Sequence, residues 1–173
     1  MAIGNLETFF TKSASETRKL GEVLSQELRG GEIICLTGEL GSGKTTFAQG
    51  VLRGLKIKGP YTSPTFVVMK HYKIKSQNFS KVRPFPSPTS RGIPQGQTLN
   101  VYHIDCYRVK SRDIIELGWK EIITGENNIV IVEWAERMKA IIPSRAIWLE
   151  FEHLDGDARK IIINSKFKNQ NSK

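Results

Sequence analysis

Gly38-Glu39-Leu40-Gly41-Ser42-Gly43-Lys44-Thr45 follows directly on the apolar run Ile33-Ile34-Cys35-Leu36, and no other feature of the chain narrows its possible folds as far. This is G-x-x-x-x-G-K-T at a strand-to-helix turn, the arrangement of a phosphate-binding loop. Glycines at 38, 41 and 43 open backbone dihedrals that let consecutive N–H groups point inward at phosphate oxygens. The helix starting near Lys44 adds its positive dipole end to the same place. Lys44 is expected to bridge the outer phosphates, and Thr45 to put its hydroxyl on a magnesium ion, a hard cation that takes oxygen ligands. Downstream, Phe47, Ala48, Val51, Leu52 and Leu55 fall at helical spacing and predict a buried face that ends near Gly54–Gly59.

The chain has 173 residues, 39% of them hydrophobic, which suits one domain over 1–173 with a sizeable core. The expected fold is α/β: a single P-loop NTPase-like three-layer domain with a mixed, largely parallel central sheet and a C-terminal antiparallel hairpin. A short first strand is expected over 5–11. A helix follows, with Ser13 and Glu16 as a capping box and Leu20, Val23, Leu24 and Leu28 as its apolar stripe, until Gly30-Gly31 ends it. Further strands are expected over 32–37, 66–72 and 99–105, with Val101, His103 and Asp105 on one face of the last. One or two short helices are predicted over 114–123. The apolar run Ile129–Val132 reads as a strand covered on both faces. A helix over 135–142 stops at Pro143, and strands over 146–153 and 159–165 turn around Asp155-Gly156-Asp157.

Two segments carry no predicted core. Residues 74–97 hold four of the seven prolines (Pro84, Pro86, Pro88, Pro94) and read as a flexible insertion, and 166–173 is a polar tail. Cys35 and Cys106 lack metal spacing and are expected as packed, reduced thiols. No run reaches the roughly eighteen apolar residues of a membrane span, and the N-terminus lacks signal-peptide regions, so a cytoplasmic protein without membrane contact is expected.

Charge is distributed unevenly. Between Leu40 and Ile104 there is no Asp or Glu, whereas ten Lys and Arg residues lie there; the other 16 basic residues face 17 acidic ones. The whole excess of +9 sits in this stretch, which points to polyanionic company beyond the nucleotide, with tRNA contact through 40–104 as one form of it.

Acids at the carboxyl ends of strands neighbouring the loop complete such a site. Glu133 ends the run 129–132 and Asp105 ends the strand 99–105. With Thr45 they form the candidate metal set, and Glu133 is also placed to orient an attacking water.

Four ordered motifs resemble those of the TsaE-type ATPase family of bacterial tRNA threonylcarbamoyladenosine biosynthesis. They are Gly38–Phe47, then Ser63-Pro64-Thr65-Phe66, then His103-Ile104-Asp105-Cys106-Tyr107-Arg108, then Glu133-Trp134-Ala135-Glu136-Arg137. The resemblance runs from about Phe9 to Ile163. It implies an ATPase that uses ATP and Mg2+ and supports two partner proteins, a threonylcarbamoyl-transferase and its non-catalytic homologue, in modifying the adenosine beside the anticodon. Position by position it implies Lys44 as the phosphate lysine, Thr45 and Glu133 as magnesium ligands, and Asp105 as a metal-shell or water-positioning acid. Thr65 falls in a switch-like loop, Trp134 beside the nucleotide, and Thr11 toward the adenine. Gly38, Glu39, Leu40, Gly41, Ser42, Gly43 and Thr46 complete the nucleotide set. His103 is read as a structural strand histidine, and the insertion departs from the family pattern. Two other readings use the same loop: a small-molecule or nucleoside kinase, and a nucleotide-gated binding module.

Overall fold

The computed structural model describes residues 5–62, 64, 67–75 and 96–165. Thr65, the bulk of the insertion and the polar tail lie outside them. The strands are β1 (Asn5–Thr11), β2 (Ile33–Gly38), β3 (Met69–Lys75), β4 (Thr98–Asp105), β5 (Asn128–Glu133), β6 (Ile147–His153) and β7 (Arg159–Ser165), and the α-helices are α1 (Ala14–Ser25), α2 (Lys44–Gly54), α3 (Ser111–Glu116) and α4 (Trp119–Thr124).

One seven-stranded sheet has the order β1-β7-β6-β2-β5-β4-β3. The central strands β6, β2, β5 and β4 are mutually parallel, while β7 and β3 run antiparallel to their neighbours. The expected mixed, largely parallel α/β sheet with its C-terminal hairpin is what the chain forms. β5, flanked by β2 and β4, is buried along its whole length, as its unbroken apolar run requires. β3 and β4 form an antiparallel hairpin with Lys75 opposite Thr98.

Helices cover the two faces. Under α1 and α2 lie Ile34, Leu36, Phe47, Val51, Leu52, Leu99 and Ile131. On the other side Trp119, Ile122 and Met138 pack over Cys35, Ile104, Val130 and Val132. Phe47, Ala48, Val51, Leu52 and Leu55 are all inaccessible, as their spacing predicts.

Local readings shift in four places. α1 buries Thr17, Gly21 and Ser25 rather than a leucine stripe, and Val23 is exposed. The cause is backbone proximity: a Cβ on Gly21 would lie 2.3 Å from the Phe47 carbonyl oxygen, and one on Gly50 2.0 Å from that of Arg18. Small residues therefore face α2, Leu20 and Leu24 pack at the margin of the core, and the helix ends at Ser25. Ser13 is its N-cap as expected, with Oγ accepting from the Glu16 N–H, but the return bond falls one residue earlier, the Glu16 carboxylate accepting from the Lys12 N–H at 2.7 Å. β3 starts at Met69, after Val68 donates its N–H to the Pro64 carbonyl in a turn. The helix expected over 135–142 is one 3-10 turn, Ala135–Met138.

The topology decides where chemistry can occur. β2, β4 and β5 all deliver their carboxyl ends to one edge of the sheet. Thr11, at the end of β1, is paired with Arg159, at the start of β7. The amino ends of α1 and α2 begin just beyond the strands that precede them.

Candidate functional site

A cleft of about 310 Å³ opens at that edge, lined by Gly41, Gly43, Lys44, Thr45 and Thr46 of the loop and α2, by Asp105 and Glu133, and by Thr17, Trp134 and Arg159 among others. The loop that forms its floor needs glycine at two points. Gly43, at φ 105°, turns the chain into α2, and Gly38, at φ 131°, passes so near β6 that a Cβ would meet the Phe151 carbonyl oxygen at 2.3 Å. Glu39 and Leu40 are exposed at the loop tip, and Ser42 is buried beneath it.

Lys44 is folded back over its own loop. Its Nζ donates to the carbonyls of Gly38 at 2.6 Å and Glu39 at 2.8 Å, and to Ser42 Oγ at 3.4 Å. The ammonium also lies 3.8 Å from the centroid of the Trp134 ring. Burial holds its pKa below the ordinary lysine value, against the pull of Glu136, Glu133, Asp105 and Glu39. A phosphate group entering the loop relieves that burial cost by supplying a full negative charge.

The acids sit side by side. Asp105 and Glu133 are register partners at the tips of β4 and β5, and both are buried, at 4% and 1% exposure. Thr45 Oγ1, from the first turn of α2, donates to Glu133 Oε2 at 2.5 Å. Asp105 Oδ1 accepts from the Tyr107 N–H at 2.9 Å, which fixes one edge of its carboxylate. Hydroxyl and carboxylate oxygens are the donors that magnesium prefers, and so small a protein set matches an ion that keeps water and phosphate oxygens as its remaining ligands. The residues present therefore fit the ion that the loop implies.

His103 is more than the satisfied strand histidine expected from sequence. Its Nε2 stands 2.7 Å from Glu133 Oε1, both side chains are 1% exposed, and its Nδ1 is buried without a partner among the described residues. The carboxylate only accepts, so Nε2 is assigned as the donor of this bond. Glu133 is thus held from both sides, by His103 on one oxygen and Thr45 on the other.

Trp134 adopts a left-handed backbone at φ 59°, a region that costs a non-glycine residue about 1–3 kcal/mol. The strain turns the chain sharply after β5 and aims the indole beneath Lys44, with the Tyr107 ring 4.8 Å away. Thr11 is buried and shares a 2.8 Å hydrogen bond with Thr17 Oγ1, so it supports the cleft wall through Thr17. Thr65 lies outside the described residues. Cys106, next to Asp105, is pushed up to about 12 by burial and then by the Asp105 charge, which leaves it no thiolate for chemistry at neutral pH.

Arg159 was not legible beforehand. Its guanidinium donates to the Ala158 carbonyl at 2.8 Å and the Gly41 carbonyl at 3.2 Å, which brings a second cation to the loop. The pairing of β7 with β1 and β6 puts it there, and no local motif marks it.

The family profile described as "Threonylcarbamoyl adenosine biosynthesis protein TsaE" matches residues 11–161. A tRNA threonylcarbamoyladenosine biosynthesis protein TsaE from Aquifex aeolicus is 36% identical over 163 residues, covering 93% of this chain and 98% of that protein. One from Rickettsia conorii is 34% identical over 166 residues, covering 92% and 80%. The crystal structure of Bacillus subtilis YdiB shares the fold, with a TM-score of 0.69 at 24% identity over 95% of this chain and 88% of that one. With a profile match spanning nearly the whole described chain and relatives above 30% identity over most of its length, this protein belongs to the TsaE family.

Proposed function

We propose that the chain binds ATP with magnesium in this cleft and hydrolyses it as the energy-consuming component of tRNA threonylcarbamoyladenosine formation in the cytoplasm. Its partners on this reading are a threonylcarbamoyl-transferase and that enzyme's non-catalytic homologue. The observation that carries the reading is the 2.5 Å bond between Thr45 Oγ1 and Glu133 Oε2, which joins the phosphate loop to the acid-bearing strand.

Bound magnesium would be held by Thr45 and Glu133, with Asp105 in its shell, and would neutralise charge on the outer phosphates. Lys44 would exchange its loop carbonyls for phosphate oxygens, and the N–H groups of 41–45 would bind the same anion. Glu133 and Asp105 give the attacking water its acceptors. As the water oxygen bonds to the terminal phosphorus, the bond to the bridging oxygen breaks and the water proton passes to a carboxylate. His103 keeps Glu133 in the orientation this requires.

Hydrolysis by the isolated chain is expected to be slow. Among the described residues only Lys44 and Arg159 bring positive charge to the cleft, and Arg159 is bonded to the loop itself. Transition-state charge on the phosphoryl oxygens would be met fully only when a partner completes the site. Phosphate release measured alone, with hydroxyl acceptors, and with the two partner proteins tests the reading. Strong stimulation by the partners is expected; transfer to an acceptor would instead establish a kinase.

A further inference from the structure

The basic excess has a defined place in the fold. β3 is the sheet edge, and its residues alternate between the α1–α2 side and the opposite side. Lys70 turns to the first side and is tied down, its Nζ donating to the Thr62 carbonyl at 2.9 Å. His71, Lys73 and Lys75 lie on the opposite side and are exposed. Lys73 and Lys75 form no hydrogen bond or ion pair with any described residue.

His71 is paired in register with Tyr102 of β4, and the two rings stack with centroids 4.5 Å apart and planes 4° from parallel. Its Nε2 lies 3.1 Å from Asn100 Oδ1, which fixes the ring plane. Tyr102 is on the inner strand, so it covers the inner face of the imidazole. Among the described residues no strand lies beyond β3, and no other ring stacks on the outer face of His71. The edge therefore presents a braced aromatic plane with two ammonium groups, bonded to no described residue, spaced along the same strand face. Neither β3 nor the residues of β4 opposite it contain an acid.

We infer that this edge is an RNA-binding surface, on which an unpaired base stacks against His71 while Lys73 and Lys75 contact flanking phosphates. The inference rests on the reading that the chain serves a tRNA-modifying machinery. The chemistry favours RNA over an acidic protein, because the braced ring presents a face, and every base has a face to stack on it whereas a carboxylate has none. Lysines without fixed partners suit a backbone whose phosphates are met as point charges.

The test measures binding of an unmodified tRNA transcript to the full chain by fluorescence anisotropy between about 50 and 200 mM salt, a range over which phosphate contacts are resolved. Lys73→Glu combined with Lys75→Glu should weaken binding at least about tenfold and flatten the plot of log affinity against log salt by about two contacts. His71→Ala should weaken it about fivefold to tenfold with the salt slope unchanged, because stacking carries no counterions. A fully paired RNA duplex should compete poorly. ATP affinity, measured in parallel, should be the same in every variant, since none of these residues touches the cleft. Equal tRNA binding by the variants and wild type would overturn the surface. So would a wild type that ignores tRNA while the lysine variant loses stimulation by the partner proteins, which would make the edge a protein contact and leave the ATPase reading intact. tRNA binding that depends on this edge, in a chain that fails to bind ATP, would overturn the ATPase reading and leave the edge standing.

Discussion

The cleft and the β3 edge hold charge in opposite ways. In the cleft, Lys44, Asp105 and Glu133 are all less than 5% exposed, and hydrogen bonds tie each of them to specific neighbours: Lys44 to two carbonyls, Glu133 to Thr45 and His103, Asp105 to a backbone N–H. On the edge, Lys73 and Lys75 are exposed and bonded to no described residue, while the His71 ring is braced. Buried charge in low dielectric is strong and demands fixed geometry, whereas solvated charge is weak, salt-sensitive and adaptable. The first arrangement suits chemistry at one phosphorus, and the second suits a long polyanion.

Substitutions can break this contrast, the largest effects being expected in the cleft. Lys44→Ala should weaken ATP binding about 10- to 100-fold, the range for a charge-assisted contact to phosphate. Titration calorimetry showing unchanged affinity would remove Lys44 from its assigned role. Gly50→Ala addresses the support beneath the loop. Its Cβ would meet the Arg18 carbonyl oxygen at 2.0 Å, so urea unfolding should show a loss of about 1–3 kcal/mol or more as α1 and α2 are forced apart. Unchanged stability would mean that the helix pair is looser than its backbone contacts imply.

His103→Leu removes one of the two bonds that hold Glu133. Partner-stimulated phosphate release should fall about tenfold, the lower range for a residue that orients a site ligand, while affinity for magnesium-bound ATP stays within about threefold. His103→Gln, which retains an N–H donor, should recover much of it. If glutamine and leucine behave alike, His103 only fills space. The smallest effect belongs to the edge: Lys73→Ala should leave ATP affinity within about twofold at any salt concentration, because solvated charges at a distance are screened.

Much of this was legible because it rests on local rules. The loop follows from glycine and lysine spacing, the buried β5 from four consecutive apolar residues, and Asp105 and Glu133 from their positions at strand ends. What escaped depends on contacts between segments distant in sequence. A leucine stripe suggested the inward face of α1, but close approach to Gly50 selects Thr17, Gly21 and Ser25 instead. His103 looked structural since nothing in its own strand shows that Glu133 Oε1 lies 2.7 Å away on the next. Arg159 reaches Gly41 across 118 positions of sequence. The helix expected after Trp134 is a single 3-10 turn, Ala135–Met138.

The central claim is that Glu133, fixed by Thr45 and His103, serves hydrolysis rather than nucleotide capture. Glu133→Gln keeps the shape and can still bond both neighbours, but it loses the negative charge and the proton acceptor. The deciding measurement is partner-stimulated phosphate release by this variant, with ATP affinity determined on the same preparation. The account predicts affinity within about threefold of wild type and a rate lowered by about 100-fold or more, the scale of a lost general base. A rate close to wild type, with ATP bound equally well, would contradict it.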